Sequence, residues 1–351
     1  MTDIIRFVRS RPSLPARRVN LPMRPSRTRG ATAGSGAGVS VHLRRARGLF
    51  TVAIVALALW IQPAASVQAP IPQPGSTPIP APQPSTSSTP SGTPIPQASG
   101  PIVVASNDTV IDGVTITTSS KDGTGIKAWG TSSSPIRNLT IRNCHITGFG
   151  TAIEARYVVN LVIENCVIED ASYGGIIVYS GVGGRIAGNT IRRIGVGVDV
   201  NGPDENNAYG IALSRIGTSN LTTEPRSSDF TVEDNVVEDV PLWHGIDTHA
   251  GSNIVISNNI VRRCARAIFI TVDNAGFKPQ EITVTGNRLE EAVHVPGGTN
   301  TTAITLVNLQ GGTVANNFVS STYEEPWVYD YLGIDPAGSK DVVISGQEGI
   351  P

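Results

Sequence analysis

The residues whose types and spacing best suit chemistry are two histidines and an aspartate in one short segment. The nonapeptide Trp243–Gly251 contains His244, Asp247 and His249. Side chains two positions apart on a β-strand point to the same side, so Asp247 and His249 would be neighbours if this segment is extended. A carboxyl group and an imidazole in contact can exchange a proton near neutral pH. We therefore predict that Asp247 and His249, with His244 close by, form a catalytic acid/base group.

A sequence repeat predicts how this segment is held. Seven times between Ile141 and Val319 the chain has Ile or Val, two further residues, an Asn or Cys, one residue and an aliphatic residue. The Asn or Cys positions are Cys144, Cys166, Asn189, Asn235, Asn259, Asn287 and Asn317. A small residue followed by Ile recurs after each copy, and the shortest interval between copies is 22 residues. This pattern predicts coils of short strands stacked about 4.8 Å apart, with amides hydrogen-bonded from coil to coil.

The repeat just quoted resembles the right-handed parallel β-helix family, the superfamily that includes pectate lyases and polygalacturonases. The resemblance covers residues 101–351 and implies an all-β fold, a right-handed single-stranded parallel β-helix of about nine coils. It implies no single function, because the superfamily includes lyases, hydrolases, epimerases, adhesins and structural proteins. The chain matches neither the acid-pair signature of polygalacturonases nor the Arg-Pro motif of pectate lyases, so no catalytic residue is carried over.

The register of the repeat predicts the surroundings of the acid/base pair. Ile246 would face the interior of its coil, whereas Asp247 and His249 would point outward. Ala212 and Phe269, on the two adjacent coils, would flank Asp247. Because apolar neighbours remove water from a carboxyl group, we expect the pKa of Asp247 to be raised toward the range of a general acid.

Insertions in the repeat surround the same place. Eleven extra residues lie within 214–231 on the preceding coil, and six lie within 272–283 on the following coil. Two long loops beside a short turn predict a cleft with the acid/base pair at its floor. The residues expected to contact a substrate there are Tyr209, Trp243, Arg215 and Glu205. Metal dependence stays open, although Asp204 and Glu205, in a third insertion at 195–208, would suit a divalent cation such as calcium.

The first hundred residues have a different composition. Residues 1–69 combine an Arg-rich start, an apolar run at 49–61 and small residues after it, which predicts a secretory signal. An uncleaved membrane anchor is the alternative. Residues 70–100 have many Pro, Ser and Thr and no charged residue, which predicts a disordered, extended linker. We therefore expect an exported protein, either secreted or displayed at the cell surface.

The charge of the chain restricts its partners. Residues 1–69 hold eleven of the 27 basic residues but one of the 28 acidic residues, so the remainder has a net charge of about −11. Such a charge argues against nucleic acid as a partner. A uronate polysaccharide would need a local basic site or a bridging cation. We expect a monomer that contacts a membrane only through 49–61, if that segment is not cleaved.

Several other polar and aromatic residues are assigned to the fold. Charge pairs of alternating sign follow the Asn position on five coils and predict ion pairs between coils. They are Glu169-Asp170, Arg192-Arg193, Glu238-Asp239, Arg262-Arg263 and Glu290-Glu291. Cys144, Cys166 and Cys264 fall on interior positions and are expected to be free thiols. The aromatic cluster at 323–331 is expected to cover the C-terminal coil, with stacking on sugar rings as the alternative.

Two functions are consistent with these features. The leading hypothesis is an exported carbohydrate-active enzyme that acts on a polysaccharide or surface glycan in a groove around Asp247 and His249. Its reaction would be that of a polysaccharide lyase, a glycoside hydrolase or a uronate epimerase. The alternative is a non-catalytic β-helix at the cell surface that binds a glycan or a protein, or serves a structural role. The sequence leaves open whether the protein is an enzyme.

Overall fold

The computed structural model of the chain describes residues 93–94, 100–196, 207–216, 220–293, 301–331 and 337–350. The predicted signal or anchor at 1–69 and nearly all of the linker at 70–100 lie outside the described residues. The same holds for Asp204, Glu205 and His294. None of the described segments is a helix long and apolar enough to cross a lipid bilayer.

The described chain is a stack of parallel β-strands arranged in coils, and each regular coil contributes three strands, here called faces 1, 2 and 3 in chain order. Face 1 consists of Thr93–Pro94, Thr109–Asp112, Ile136–Arg142, Val158–Glu164, Val182–Ala187, Ser228–Glu233, Ser252–Ser257, Gln280–Thr285, Gln310–Ala315 and Lys340–Ser345. Face 2 contains the short strands Thr115–Thr117, His145–Thr147, Val167–Glu169, Thr190–Arg192, Arg288–Glu290, Phe318–Ser320 and Glu348–Ile350. Face 3 contains Ile102–Val104, Thr124–Trp129, Thr151–Arg156, Gly174–Tyr179, Tyr209–Ser214, Thr302–Val307 and Glu324–Tyr331.

Two longer strands connect faces 2 and 3. Val236–His249 and Ile260–Thr271 run through both faces without a break and so join them into one 16-stranded sheet. Within the described ranges, nine face 1 strands from Thr109–Asp112 to Lys340–Ser345 pair in parallel and mark nine successive coils. The predicted parallel β-helix of about nine coils is therefore confirmed.

The turn between faces 1 and 2 explains why the repeat contains Asn at a fixed place. The residue before the ladder position adopts a positive φ, for example 55° at Asn165, 64° at Gly188 and 54° at Asp234. Asn, Asp and Gly tolerate this left-handed conformation best. The local sequence therefore forms the turn that directs the next side chain into the stack.

The Asn residues form the predicted ladder inside the stack. Asn235 is fully buried, and its Nδ2 donates to Oδ1 of Asn259 at 3.0 Å and to the carbonyl oxygen of Ile186 at 2.9 Å. The same bonds link Asn189, Asn235, Asn259, Asn287, Asn317 and finally Gln347. Cys144 and Cys166 occupy the preceding positions, and with Cys264 they are free and buried, as expected.

The interior consists of aliphatic columns, and the edges carry ion pairs. In-register Ile residues of face 3, such as Ile211, Ile246 and Ile268, are fully buried, and each contributes roughly 1.5–3 kcal/mol by burial. The charge pairs also bond from coil to coil as predicted. Arg192 Nε lies 2.7 Å from Glu169 Oε2, and Arg263 Nε lies 2.6 Å from Asp239 Oδ1.

The aromatic segment near the C-terminus forms part of the β-helix. Glu324–Tyr331 is the last described strand of face 3 and pairs with Thr302–Val307. Tyr323 is buried in the core, and Trp327 packs against it. Tyr331, by contrast, is exposed. The expectation that the cluster covers the C-terminal coil, and the alternative of stacking on sugar rings, both stay predictions.

Candidate active site

The predicted acid/base pair lies on the outer surface of face 3. On the strand Val236–His249, Ile246 belongs to the interior core, while Asp247 is in register with Ala212 on one side and Phe269 on the other. This register was predicted from the repeat. Asp247 is nevertheless fully buried, because aromatic side chains of the outer surface cover it.

Two imidazoles converge on one carboxylate. His244 Nδ1 is hydrogen-bonded to Oδ2 of Asp247. His249 Nε2 lies 3.1 Å from both carboxylate oxygens, and its hydrogen bond is directed to Oδ2. Oδ1 has no hydrogen-bond partner among the described residues. The structure therefore brings His244, Asp247 and His249 together, as the sequence predicted.

Aromatic rings and one arginine enclose this trio. His244 stacks on Trp243 and on Phe269, with centroid distances of 4.8 Å and 4.1 Å. Tyr209 presents its ring edge-on to both His244 and His249, at 5.8 Å and 6.3 Å. Arg266 Nη1 lies 3.1 Å from Nε2 of His244. Two of the expected substrate contacts, Tyr209 and Trp243, thus border the site.

The charge distribution differs from the expectation. Burial opposes the ionisation of Asp247, but His249 and His244 outweigh it and lower the pKa of this carboxyl group to about 2. The expected rise is therefore wrong in sign, and Asp247 is a carboxylate at neutral pH. Its two nitrogen-bearing neighbours, which the argument from Ala212 and Phe269 did not include, are the reason.

The pKa values of the two histidines are shifted in opposite directions. Burial lowers the pKa of His244 to about 4 although the Asp247 carboxylate favours its protonation. Burial also opposes protonation of His249, but Asp247 prevails and raises the pKa of His249 above its ordinary value. The side chain of His249 is 27% exposed, whereas that of His244 is 1% exposed. His249 is therefore the member of the trio that can exchange a proton with a bound molecule.

The trio does not fit the calcium ion that the acidic loop suggested. Its ligand atoms lie within 4.8 Å of one another, but two of the three groups offer imidazole nitrogen. Calcium takes six to eight oxygen ligands. The guanidinium of Arg266 against His244 also places a positive charge beside any cation bound here. These contacts argue against calcium at the trio.

The two long loops do not stand apart as walls of a cleft. Arg215 Nη1, in the loop of the preceding coil, lies 2.6 Å from Asp273 Oδ2, in the loop of the following coil. Arg226 Nη1 donates to the carbonyl oxygens of Ala250 and Lys278 at 2.7 Å and 2.6 Å. The loops therefore meet beside the turn that follows His249. Arg215 is fully buried in this contact, so it fastens the loops in place of the expected sugar contact.

A row of aromatic and cationic side chains leads away from His249 along face 3. Trp129, Arg156 and Tyr179 are in register on successive coils. Arg156 lies 3.7 Å above the ring of Trp129 and 5.5 Å from that of Tyr179. Lys127 Nζ lies 3.3 Å from the centroid of Trp129. Tyr179 pairs with Ser214, and because Leu213 pairs with Thr248, His249 comes next in the row.

Sequence reasoning missed Arg266 as part of the site. His244 and Tyr209 each stand two residues before the interior Ile of their strand, and Arg266 stands two residues before Ile268. The repeat therefore contained the signal that places Arg266 beside His244. It was overlooked because the comparison between coils included only the positions after the Ile.

The chain is similar at low identity to several solved structures. Similar solved structures include a lidless DFA-IIIase from Arthrobacter chlorophenolicus A6 in complex with GF2, at 13% identity, covering 71% of this chain and 60% of that chain, with a TM-score of 0.47. The A-module of the mannuronan C-5 epimerase AlgE6 of Azotobacter vinelandii is 15% identical, covering 69% of this chain and 64% of that chain, with a TM-score of 0.39. The chain thus spans less than two thirds of the length of either structure. Likenesses at this level carry no information on activity.

A family model supplies the assignment. No curated protein matches the sequence. The model described as "Right handed beta helix region" matches residues 124–319, more than half of the chain. That range contains His244, Asp247 and His249 as well as most of the Asn ladder. The chain belongs to the right handed beta helix region family.

Proposed function

We propose that this protein is an exported enzyme that acts on an acidic polysaccharide by proton transfer, as a polysaccharide lyase or a uronate epimerase. The observation that carries the proposal is the contact between the buried carboxylate of Asp247 and the partly exposed imidazole of His249, whose Nε2 lies 3.1 Å away. In both reactions a base removes a proton from a carbon atom of the sugar. His249 would be that base and, once protonated, an acid. Asp247 orients it and stabilises its charge.

The surroundings of the pair support proton transfer more than hydrolysis by two carboxylates. Glycoside hydrolases commonly use an acid and a second carboxylate about 5–10 Å apart. Near Asp247, the described Asp273 is fully engaged, because its Oδ1 accepts from the backbone of Ala275 and Phe277 and its Oδ2 bonds Arg215. Among the residues that the structure describes, Asp273 thus offers no second free carboxylate to His249, and this favours elimination and epimerisation over hydrolysis.

The row on face 3 supports an acidic chain as the substrate. From Trp129 to His249 the row spans five coils, or about 19 Å at about 4.8 Å per coil, which is long enough for several sugar units. Lys127 and Arg156 supply positive charge on a domain that is otherwise acidic. Arg156 also forms an ion pair with Glu154, so the row has a net charge of about +1, which supports an acidic substrate through Lys127 above all.

A screen of the full chain against plant, algal and bacterial polysaccharides tests the proposal. Release of unsaturated ends, seen by their absorbance, identifies a lyase, and deuterium uptake from heavy water without cleavage identifies an epimerase. We expect His249→Ala to lower turnover by about 10²–10⁴-fold. The matched control is His145→Ala, because His145 is a 45% exposed histidine paired with Glu169 on face 2.

The same screen can reject the proposal. New reducing ends without unsaturation would identify a hydrolase. Binding without turnover on every substrate would favour the second candidate, a glycan-binding β-helix that uses the Trp129, Arg156 and Tyr179 row alone. In that case the Asp247→Ala/His249→Ala double variant would bind as well as the unmodified protein, whereas Arg156→Ala would bind less.

A further inference from the structure

We propose that Arg266 is a positioning residue that keeps Nε2 of His244 unprotonated and thereby leaves proton exchange at the site to Nδ1 of His249. Its catalytic consequence rests on the function proposed above. The tautomer of His244, by contrast, can be observed whether or not the protein is an enzyme.

The hydrogen bond between Arg266 and His244 has only one polarity. Arg266 is the in-register neighbour of His244 on the following coil, and its Nη1 lies 3.1 Å from Nε2 of the imidazole. A guanidinium can donate but cannot accept. Nε2 must therefore carry a lone pair, and the single proton of a neutral imidazole must be on Nδ1. That proton is directed to Oδ2 of Asp247.

Aromatic rings fix this geometry. The guanidinium carbon of Arg266 lies 4.9 Å from the centroid of Trp243 and 5.0 Å from that of Phe269. The same two rings stack on His244. Arg266 and His244 thus pack against the same two rings. Because this packing already holds both side chains in place, their hydrogen bond requires little further loss of side-chain entropy. A planar, always charged guanidinium suits this stacked position better than an ammonium group does.

The polarity of this bond decides which histidine becomes charged. A second proton on His244 would have to go to Nε2, directly against Arg266, so His244 stays neutral. His249 faces Asp247 on its own strand, Asp273 from the following coil, Tyr209 from the preceding coil and neutral His244. The charges that favour an imidazolium therefore act on His249.

The proton that leaves or joins His249 must then be on Nδ1. Nε2 of His249 is directed to Asp247 and donates to it in both protonation states. No described residue hydrogen-bonds to Nδ1 of this histidine. Arg266 donates to Nε2 of His244, and Nδ1 of His244 donates to Asp247. His249 donates to the same carboxylate from the other side. Without Arg266, His244 could also take up a second proton, at Nε2, and exchange it.

Nuclear magnetic resonance of the full chain labelled with ¹⁵N-histidine tests this assignment, with His244 identified from a His244→Gln sample. In the unmodified protein we expect His244 as the neutral Nδ1–H form between about pH 5 and 8. In Arg266→Met the Asp247 carboxylate still accepts from Nδ1–H of His244, so we expect the same neutral form. His244 should, however, take up its second proton, at Nε2, about one pH unit higher or more. Arg266→Lys, which retains a charged donor, should show a smaller shift. Arg262→Met, on the same strand, is the control and should leave His244 unchanged.

Two results would overturn the proposal: an Nε2–H tautomer of His244 in the unmodified protein, or an unchanged titration of His244 in Arg266→Met. If Arg266→Met does not fold, the tautomer of the unmodified protein and the Arg266→Lys spectrum decide. With a substrate in hand, Arg266→Met should lower kcat by roughly 10²-fold and move the acid limb of the pH profile, and Arg266→Lys should restore both in part. If the protein shows no turnover but His244 protonates at higher pH in Arg266→Met, the proposed function is refuted and the role of Arg266 at Nε2 of His244 stands.

Discussion

Asp247 and His249 form a contact of 3.1 Å in which one partner is fully buried and the other reaches solvent. This asymmetry divides their roles. A carboxylate without access to solvent holds its charge and orients the imidazole, while the partly exposed imidazole exchanges protons. The arrangement differs from the sequence-based hypothesis, in which the carboxyl group of Asp247 was a general acid. The structure instead assigns proton exchange to His249.

Asp247→Asn should lower the pKa of His249, because it removes the carboxylate charge that raises it. Asn has nearly the same size as Asp but no charge, so burial, which opposes protonation, would no longer be outweighed. Titration of the histidine ¹⁵N signals measures this shift. His145 is paired with Glu169 and serves as an internal control. An unchanged value for His249 would show that Asp247 does not control its protonation.

The raised pKa of His249 also predicts how stability depends on pH. The folded protein binds this proton more tightly than the unfolded chain, whose histidine has a pKa of about 6.5. The stabilisation is therefore fully present below the unfolded value and is lost as the pH rises through the folded value. The free energy of unfolding of the unmodified protein, relative to His249→Gln, should thus increase as the pH is lowered from about 9 to about 5. Urea denaturation at several pH values measures it, and a difference independent of pH would contradict the shift.

The sequence predicted those features that depend on backbone periodicity. The ladder from Asn189 to Asn317, the pairing of Asp247 with Ala212 and Phe269, and the alternating ion pairs all follow from the repeat length. In a β-helix every coil has the same backbone path, so one correct register places all positions at once. The fold and the position of the candidate site along it could therefore be predicted from the sequence.

Contacts between side chains could not be predicted from the repeat in the same way. The sign of the pKa shift of Asp247 depends on how closely the rings of His249 and His244 approach the carboxylate, which strand alternation does not specify. The contact between Arg215 and Asp273 depends on how two irregular insertions fold over one another. Loop paths and rotamers are set by packing with distant residues, so a pattern of spacings did not reveal them.

Arg215→Met should loosen both long loops. Arg215 is fully buried and its partner Asp273 nearly so, so removal of the guanidinium leaves a buried carboxylate without its ion pair. Breaking such a pair costs about 3–5 kcal/mol. We expect faster hydrogen exchange and proteolysis in 220–227 and 272–279. Arg185→Met is the control, since Arg185 forms exposed pairs with Glu164 and Glu233. A change of KM alone, with loop protection intact, would instead support the sugar contact first expected for Arg215.

The last prediction concerns the ladder that positions all of these residues. Asn235 donates to Ile186 and Asn259 and accepts from Nδ2 of Asn189, so Asn235→Leu leaves several buried polar groups without partners. Each such group costs about 1–3 kcal/mol. Arg192→Gln should cost less than about 1 kcal/mol, because Arg192 is partly exposed and Glu169 keeps Arg193 and His145 as partners. Chemical denaturation of both variants measures the difference. The reverse order would mean that the ladder amides are solvated and the register is shifted by one residue, and such a shift would also turn Asp247 and His249 into the interior.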